Sequence, residues 1–331
     1  MVVFLLFTQN SLSLFGSLGS QKIVLIFYPM NVFSKKKPPI HIDDETINGY
    51  IFMTPTFLIM GVFLLLPICL AVVLAFYRVQ PLGDVSYTFR GLRNFWRMFS
   101  DERVKIALKN TVEYVTIVVP TQTLLALSLA LVLNTQIKGR NFFRVLFFLP
   151  TVTSSAVLTL IFMWICNSNG LLNRFLAVLG LPTYNWLGDP SVALKAIMLM
   201  NIWATAPLFM VIYLAAMQDI PETLYEAATL DGASAWDKFI FITLPFLQPV
   251  TFFIIVMGII GTFQLFDQSY IFSRGSGGPN NSTLTVVLLI YQYAFKNLDM
   301  GYAAALALML ALVIMIVTFI QRMWIQEEKF N

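Results

Sequence analysis

The chain has 331 residues, 58% hydrophobic and 11% charged, with a net charge of +4 and a mean hydropathy of +0.77. A soluble domain carries about a quarter charged residues, so this share excludes an ordinary soluble protein and indicates a polytopic membrane chain. Cys69 and Cys166 lie in apolar runs and His41 is the single histidine, which leaves neither a disulfide framework nor a metal cluster, and without a basic groove nucleic acid is excluded as a partner.

Residues 1–48 read as an N-terminal extension. Met1–Tyr28 lacks the basic start and small-residue cleavage site of a signal peptide, and Met30, ahead of Lys35–Lys37, is a natural initiator. The expectation is an upstream start in the gene model, with a disordered or surface-lying extension as the alternative and an extra span, interrupted by Gln9, Asn10, Gln21 and Lys22, ranked behind both.

Crossing about 30 Å of hydrocarbon takes about 20 apolar helical residues. Six segments of residues 49–325 meet that test: Ile51–Tyr77, Val115–Leu133, Val145–Cys166, Ala196–Met217, Pro245–Phe266 and Met300–Gln321. Pro55 and Pro67 are expected to kink the first. Leu284–Phe295 is too short to cross and reads as an interfacial or re-entrant helix. Between the spans lie a long charged loop (Arg78–Asn110), a short basic loop (Asn134–Arg144), a polar excursion (Asn167–Lys195), a mixed-charge loop (218–245) and a Gly/Ser/Asn-rich loop (Ser273–Thr283), and residues 326–331 form a tail. Lys and Arg counts on the two sides are nearly equal, so orientation rests only on Lys35–Lys37, which favours a cytoplasmic N-terminus.

Loop 218–245 carries the most information. Asp219 is a fair N-cap, Pro221 suits a first helical turn, and Glu222–Ala228 are helix formers. Gly232 can take the left-handed conformation that ends a helix, and Asp231 can accept backbone N–H bonds from the helix that follows. The expectation is two short helices about a sharp turn, with Ala227, Ala228 and Ala233 leaving a surface that another protein can approach.

Glu226-Ala227-Ala228, Asp231-Gly232-Ala233, then Ile242, Leu244 and Pro245, resemble the "EAA" signature of binding-protein-dependent ABC importer permeases, at the family spacing. Such a resemblance implies the six-span type I importer permease fold in a bacterial inner membrane. It places loop 218–245 and both termini in the cytoplasm. The first short helix would then dock on an ATPase subunit, with Glu226 as the charged contact and Gly232 setting the angle between the helices. The partners so implied are a second, G-type permease, an ATPase dimer holding Mg-ATP, an extracytoplasmic solute-binding protein and membrane lipid. No cofactor is expected on this chain.

The likeness covers roughly Ile51–Gln321 and points to the carbohydrate-uptake branch. Gly91-Leu-Arg-Asn94-Phe, Asp101, Ala107-Leu and Asn110-Thr111 look like the opening of sugar permeases. Arg144 with Phe148-Leu-Pro150, Trp164, Trp203, Phe266-Asp267, Tyr270, Gly278-Pro279 and Tyr291–Phe295 continue it. Ile220-Pro221 with Leu224-Tyr225 is similar to the F-type subunit of a maltose-like pair. The absence of a large insertion puts the chain nearer the lactose or glycerol-phosphate type.

Polar side chains inside spans are costly in lipid and face a partner helix or a cavity. Gln122, Asn201, Gln264, Asp267 and Gln268, with the rings of Trp164, Trp203 and Tyr270, are the candidate substrate pathway, since a sugar needs amides for its hydroxyls and a ring for its C–H face. Helix–helix hydrogen bonding and interface anchoring are the competing roles. Gly275–Pro279 lacks the Lys-Ser/Thr ending of a phosphate loop and no Walker motif occurs, so the chain is not expected to be an enzyme. The expected cargo is a sugar or related polyol, with a phosphorylated polyol as the alternative and a self-sufficient secondary transporter as the rival from another class.

Overall fold

The computed structural model describes residues 44–80, 86–135 and 138–328. Residues 1–43 of the extension, with Met30 and His41, and residues 329–331 of the tail lie outside them, while residues 44–48 of the extension form the start of α1. The chain divides into two compact units, Met1–Phe57 and Leu58–Asn331. The described part of the first opens α1 (Asp44–Met60), where the Thr54 hydroxyl donates to the Tyr50 carbonyl at 2.6 Å.

In the second unit the helix continues as a π turn (Gly61–Leu65) and α2 (Leu66–Leu74), followed by β1 (Tyr77–Gln80), β2 (Ser86–Phe89), α3 (Arg93–Ser100) and α4 (Glu102–Asn134). The two strands pair antiparallel with Tyr77 opposite Phe89. Then come α5 (Arg140–Val152), α6 (Ser155–Ile165), α7 (Leu171–Val178), α8 (Ala193–Gln218), α9 (Glu222–Leu230), α10 (Ala235–Lys238) and a second π turn (Phe239–Thr243). The chain ends with α11 (Leu244–Phe263), α12 (Asp267–Ser273), α13 (Val286–Tyr291), a third π turn (Gln292–Lys296) and α14 (Met300–Glu328).

Among the described residues five helices are long and apolar enough to cross a membrane, and the bent pair α5–α6 brings the number to six when it counts as one span. The fold is thus the six-span, all-α arrangement that the hydropathy predicts, with two corrections. The third predicted span is not one rod: α5 and α6 meet at 102°. Pro150 has no N–H to give, and Thr153 leaves the helix with extended backbone (φ −82°, ψ 139°). The predicted loop Arg78–Asn110 is mostly structured, because Asp101 starts α4 well before the apolar stretch. Its carboxylate accepts the Arg103 N–H at 2.9 Å, so helix begins at the cap rather than at the membrane edge.

Proline also accounts for two of the π turns. Leu66 N–H reaches back five residues to Gly61 O, and Leu244 N–H to Phe239 O. In each case a proline, Pro67 or Pro245, comes next. A proline ring clashes with the carbonyl four residues earlier, and admitting one extra residue per turn relieves the clash without breaking the rod.

The core lies where α4, α8 and α11 meet. Ala126 and Ala130 of α4 and Ala206 of α8 are fully buried against Met210, Tyr213, Leu247 and Ile254, since small residues let helix backbones approach closely in lipid. Gln122 ties the three helices: it is 1% exposed and accepts the Thr205 hydroxyl at 2.7 Å. A Cβ at Gly258 of α11 would lie 2.8 Å from its amide nitrogen.

A polar network holds the end away from α9. Asn94 donates to the carbonyls of Ala75 at 2.8 Å and Tyr77 at 3.1 Å, closing the end of α2. Asp101 Oδ2 accepts the hydroxyls of Tyr293 at 2.6 Å and Tyr302 at 3.0 Å. Arg97 pairs with Asp299 at 2.7 Å and lies 4.0 Å over the Tyr302 ring. Asn110 donates to Asn281 O and Leu284 O, and Thr111 accepts Val286 N–H. These bonds fasten 281–302 onto α3 and the start of α4.

Burial works against ionisation of Asp101, but the bonds from Tyr293, Tyr302 and two backbone N–H groups outweigh it and hold the carboxyl below its ordinary range. A lowered folded-state pKa means that the stabilisation is complete above the ordinary carboxylate value and is lost as pH falls through the folded one. Asp101→Ala is expected to cost about 1–3 kcal/mol by removing a cap and two tyrosine partners. Thermal unfolding in detergent should show this loss at neutral pH, and the gap to wild type should narrow on acidification below about pH 4.

Candidate functional site: a two-helix hairpin and a polar cavity at the broken span

After α8 the chain turns back into a tight hairpin. Asp219 closes α8 rather than capping α9, and Pro221, in extended backbone (ψ 127°), occupies the N-cap position. A proline there costs nothing, because the first helical N–H groups have no intrahelical acceptor. Gly232 has φ +79°. Around it Ala233 N–H bonds Ala228 O at 2.9 Å and Gly232 N–H bonds Thr229 O at 3.1 Å, the crossed pair of a Schellman ending. A Cβ at Gly232 would meet nothing within 4 Å, so glycine is needed for its backbone and not for space. Asp231 does not cap the next helix. Ser234 and Asp237 do, in a reciprocal capping box.

Two bonds tie the arms together: Tyr225 OH to Thr243 Oγ1 at 2.9 Å, and Lys238 Nζ to Thr229 Oγ1 at 2.8 Å. Glu226 and Ala227 are exposed, while Ala228 and Ala233 are half-buried. Leu230, 89% exposed, and Trp236, 67% exposed, are also open on the hairpin. Glu222, Glu226 and Asp231 make the exposed face acidic. Leu244 and Pro245 end the hairpin at the second π turn, whose Phe239–Thr243 segment leads into α11.

The bend between α5 and α6 makes the second feature. A cavity of about 180 Å³ is lined there by Thr151, Thr153 and Ser155 from the bend, Asn201 and Thr205 from α8, and Gln268 from α12, among others. Thr151 Oγ1, Ser155 Oγ and Asn201 Oδ1 are buried without a hydrogen-bond partner among the described residues. Unpaired buried polar groups cost about 1–3 kcal/mol each, so three on one small cavity mark a place that takes a polar guest or water. Pro150, Thr153 and Leu158 also line an apolar cavity of about 520 Å³ that includes Trp203 and Phe147.

Of the residues singled out from the sequence, the structure brings Asn201 and Gln268 together on the polar cavity and puts Trp203 on the adjoining apolar one. Gln122 is enclosed in helix packing against Thr205. Trp164 is 73% exposed, and Gln264 and Asp267 are exposed at the junction of α11 and α12. Tyr270 packs against Phe266 and Tyr291, with ring centroids 5.4 and 5.2 Å away. Thr151, Thr153, Ser155 and Thr205 were not singled out. For the first three a signal was present, since Thr151-Val-Thr-Ser-Ser155 directly after Pro150 is a polar run in an apolar span.

Residues 122–327 match the model of the family described as "Binding-protein-dependent transport system inner membrane component". The lactose transport system permease protein LacF of Rhizobium radiobacter is 35% identical over 86% of this chain and 95% of that protein. The arabinooligosaccharides transport system permease protein AraP of Bacillus subtilis is 35% identical over 87% and 88%. The trehalose/maltose transport system permease protein MalF of Thermococcus litoralis is 32% identical over 83% and 92%. Among solved structures, a bacterial alginate ABC transporter in complex with an alginate pentasaccharide-bound periplasmic protein has a chain that superposes with a TM-score of 0.70. It is 22% identical and covers 84% of this chain and 93% of its own, a likeness of fold. On the strength of that family match and those relatives, this chain belongs to the inner membrane components of binding-protein-dependent transport systems.

Proposed function

We propose that this chain is the F-type permease subunit of an ATP-driven importer and passes a neutral sugar or related polyol through the cavity at the broken third span. The relatives bear lactose, arabinooligosaccharide and trehalose/maltose transport names. The observation that carries the reading is the lining of the cavity: three buried hydroxyl and amide oxygens with unmet hydrogen bonds, beside an apolar wall that contains Trp203. A sugar offers hydroxyls to the first and a C–H face to the second. No charged residue lines the polar cavity, which favours a neutral cargo over a phosphorylated polyol.

In this reading the acidic hairpin lies on the cytoplasmic side and seats on an ATPase dimer that holds Mg-ATP, with Glu226 as its charged contact. That orientation puts both termini in the cytoplasm. A second, G-type permease closes the other half of the pathway, and a solute-binding protein delivers cargo at the opposite face. Closure of the ATPase dimer biases the helices between two arrangements, which requires that the hairpin contacts differ between them.

The tests use the complete importer, reconstituted in proteoliposomes with its solute-binding protein and given labelled di- and oligosaccharides. Asn201→Ala and Gln268→Leu are each expected to lower uptake about five- to tenfold, the worth of about one hydrogen bond, while subunit stoichiometry stays unchanged. Unchanged uptake in both would overturn the placement of cargo in this cavity. Glu226→Lys and Gly232→Pro are expected to abolish uptake with membrane insertion intact. Gly232→Asn, which tolerates a left-handed backbone, should keep most of it. Transport that persists without the ATPase and collapses with the ion gradient would show a secondary transporter instead.

A further inference from the structure

A second cavity, of about 430 Å³, opens between α5 and α8 at the end that carries α9. Its walls are Val145 and Phe148 from α5 and Val211, Leu214 and Ala215 from α8, and its polar lining is Arg144 and Gln218. The Arg144 Nε and one terminal nitrogen are shielded from solvent and have no acceptor among the described residues, and the same holds for Arg140 Nε one turn earlier. The ion pairs found among the described residues, Arg97 with Asp299 and Lys105 with Glu102, lie at the other end of the helices.

A guanidinium keeps its charge and can only donate, so buried N–H groups without an acceptor must find one outside the chain. The form of the cavity limits what that acceptor is. A neutral sugar brings no charge to meet Arg144. A free inorganic anion would satisfy the arginine and leave five apolar side chains uncovered. A molecule with an anionic head and a hydrocarbon tail meets both. Arg144 immediately precedes the apolar stretch from Val145, which is the depth of lipid phosphates. Exposed Lys138 adds positive charge at the entrance to α5.

The structure assigns this groove to an anionic phospholipid, with phosphate oxygens on Arg144 and Arg140 and an acyl chain along Phe148, Leu214 and Ala215. Charge-assisted bonds from the arginine fork give headgroup selectivity, and the apolar wall gives retention. The assignment does not depend on which sugar is carried.

Native mass spectrometry of the purified importer complex, delipidated and re-supplied with either phosphatidylglycerol or phosphatidylcholine, tests it. The wild-type complex is expected to retain phosphatidylglycerol at least fivefold over phosphatidylcholine. Arg144→Gln should remove that preference with every subunit still present, and Ala215→Trp, which fills the groove and leaves the arginines alone, should lower retention of phosphatidylglycerol by a similar factor. Equal retention of the two lipids by wild type, or undiminished phosphatidylglycerol in both variants, would overturn the assignment. So would loss of a subunit from the Arg144→Gln complex, since that would make an acidic group of a neighbouring protein the acceptor.

Discussion

A helix broken inside a membrane leaves backbone and side-chain polar groups that lipid cannot satisfy, and the arrangement around Thr153 follows from that constraint. Straight spans need nothing beyond their own ladders of bonds. The 102° bend between α5 and α6 needs protein or a polar guest at its elbow, and α8 and α12 supply it with Asn201, Thr205 and Gln268. The bend therefore creates the requirement and the cavity together. Remove it and Thr151 and Ser155 would face hydrocarbon along a continuous rod, where their hydroxyls could bond back only to their own helix.

The two ends of the helical assembly are built on different terms. Around Asp101 most polar side chains are paired: two tyrosines on its carboxylate, Arg97 with Asp299, and Asn110 with the carbonyls of Asn281 and Leu284, while Ser282 Oγ has no partner among the described residues. At the α9 end the reverse holds. Acidic residues of the hairpin are open, Leu230 and Trp236 are uncovered, and the Arg140 and Arg144 nitrogens lack acceptors. A closed polar network specifies one arrangement, whereas open groups leave theirs unspecified. Between the ends, α4, α8 and α11 are held by alanines and by Gln122.

Much of this was readable from the amino acids, and the failures have a common cause. Span number and position follow from length and hydropathy, because lipid enforces them. The hairpin was legible because Gly232 and Pro221 act through their own backbones. Side-chain assignments went astray where two or more candidates could serve the same turn: Asp219 and Asp231 are fair caps by type, yet the caps in use are Pro221, Ser234 and Asp237. The bend was missed because Pro150 resembles Pro120 and Pro207, which lie inside unbroken helices. A polar run does not separate them either, since Thr121-Gln122-Thr123 follows Pro120 just as Thr151–Ser155 follows Pro150. The fates of Gln122 and Asn201 could not be told apart in one dimension, since each is an amide in an apolar span. Only packing shows that one meets Thr205 and the other a cavity.

One feature of the hairpin has a mechanical meaning. From Ala235 the helix runs through the π turn at Phe239–Thr243 to Phe263, about 44 Å at 1.5 Å per residue. After the non-helical break at Gln264–Phe266, α12 brings Gln268 to the cavity wall. Tyr225 and Lys238 brace α9 against the foot of this rod, so the hairpin is fixed to a stiff helix and is not a slack loop. Past the break, α12 contributes to one wall of the chamber, and its Tyr270 packs on Tyr291, so hairpin and chamber lie at the two ends of one segment with a single joint between them.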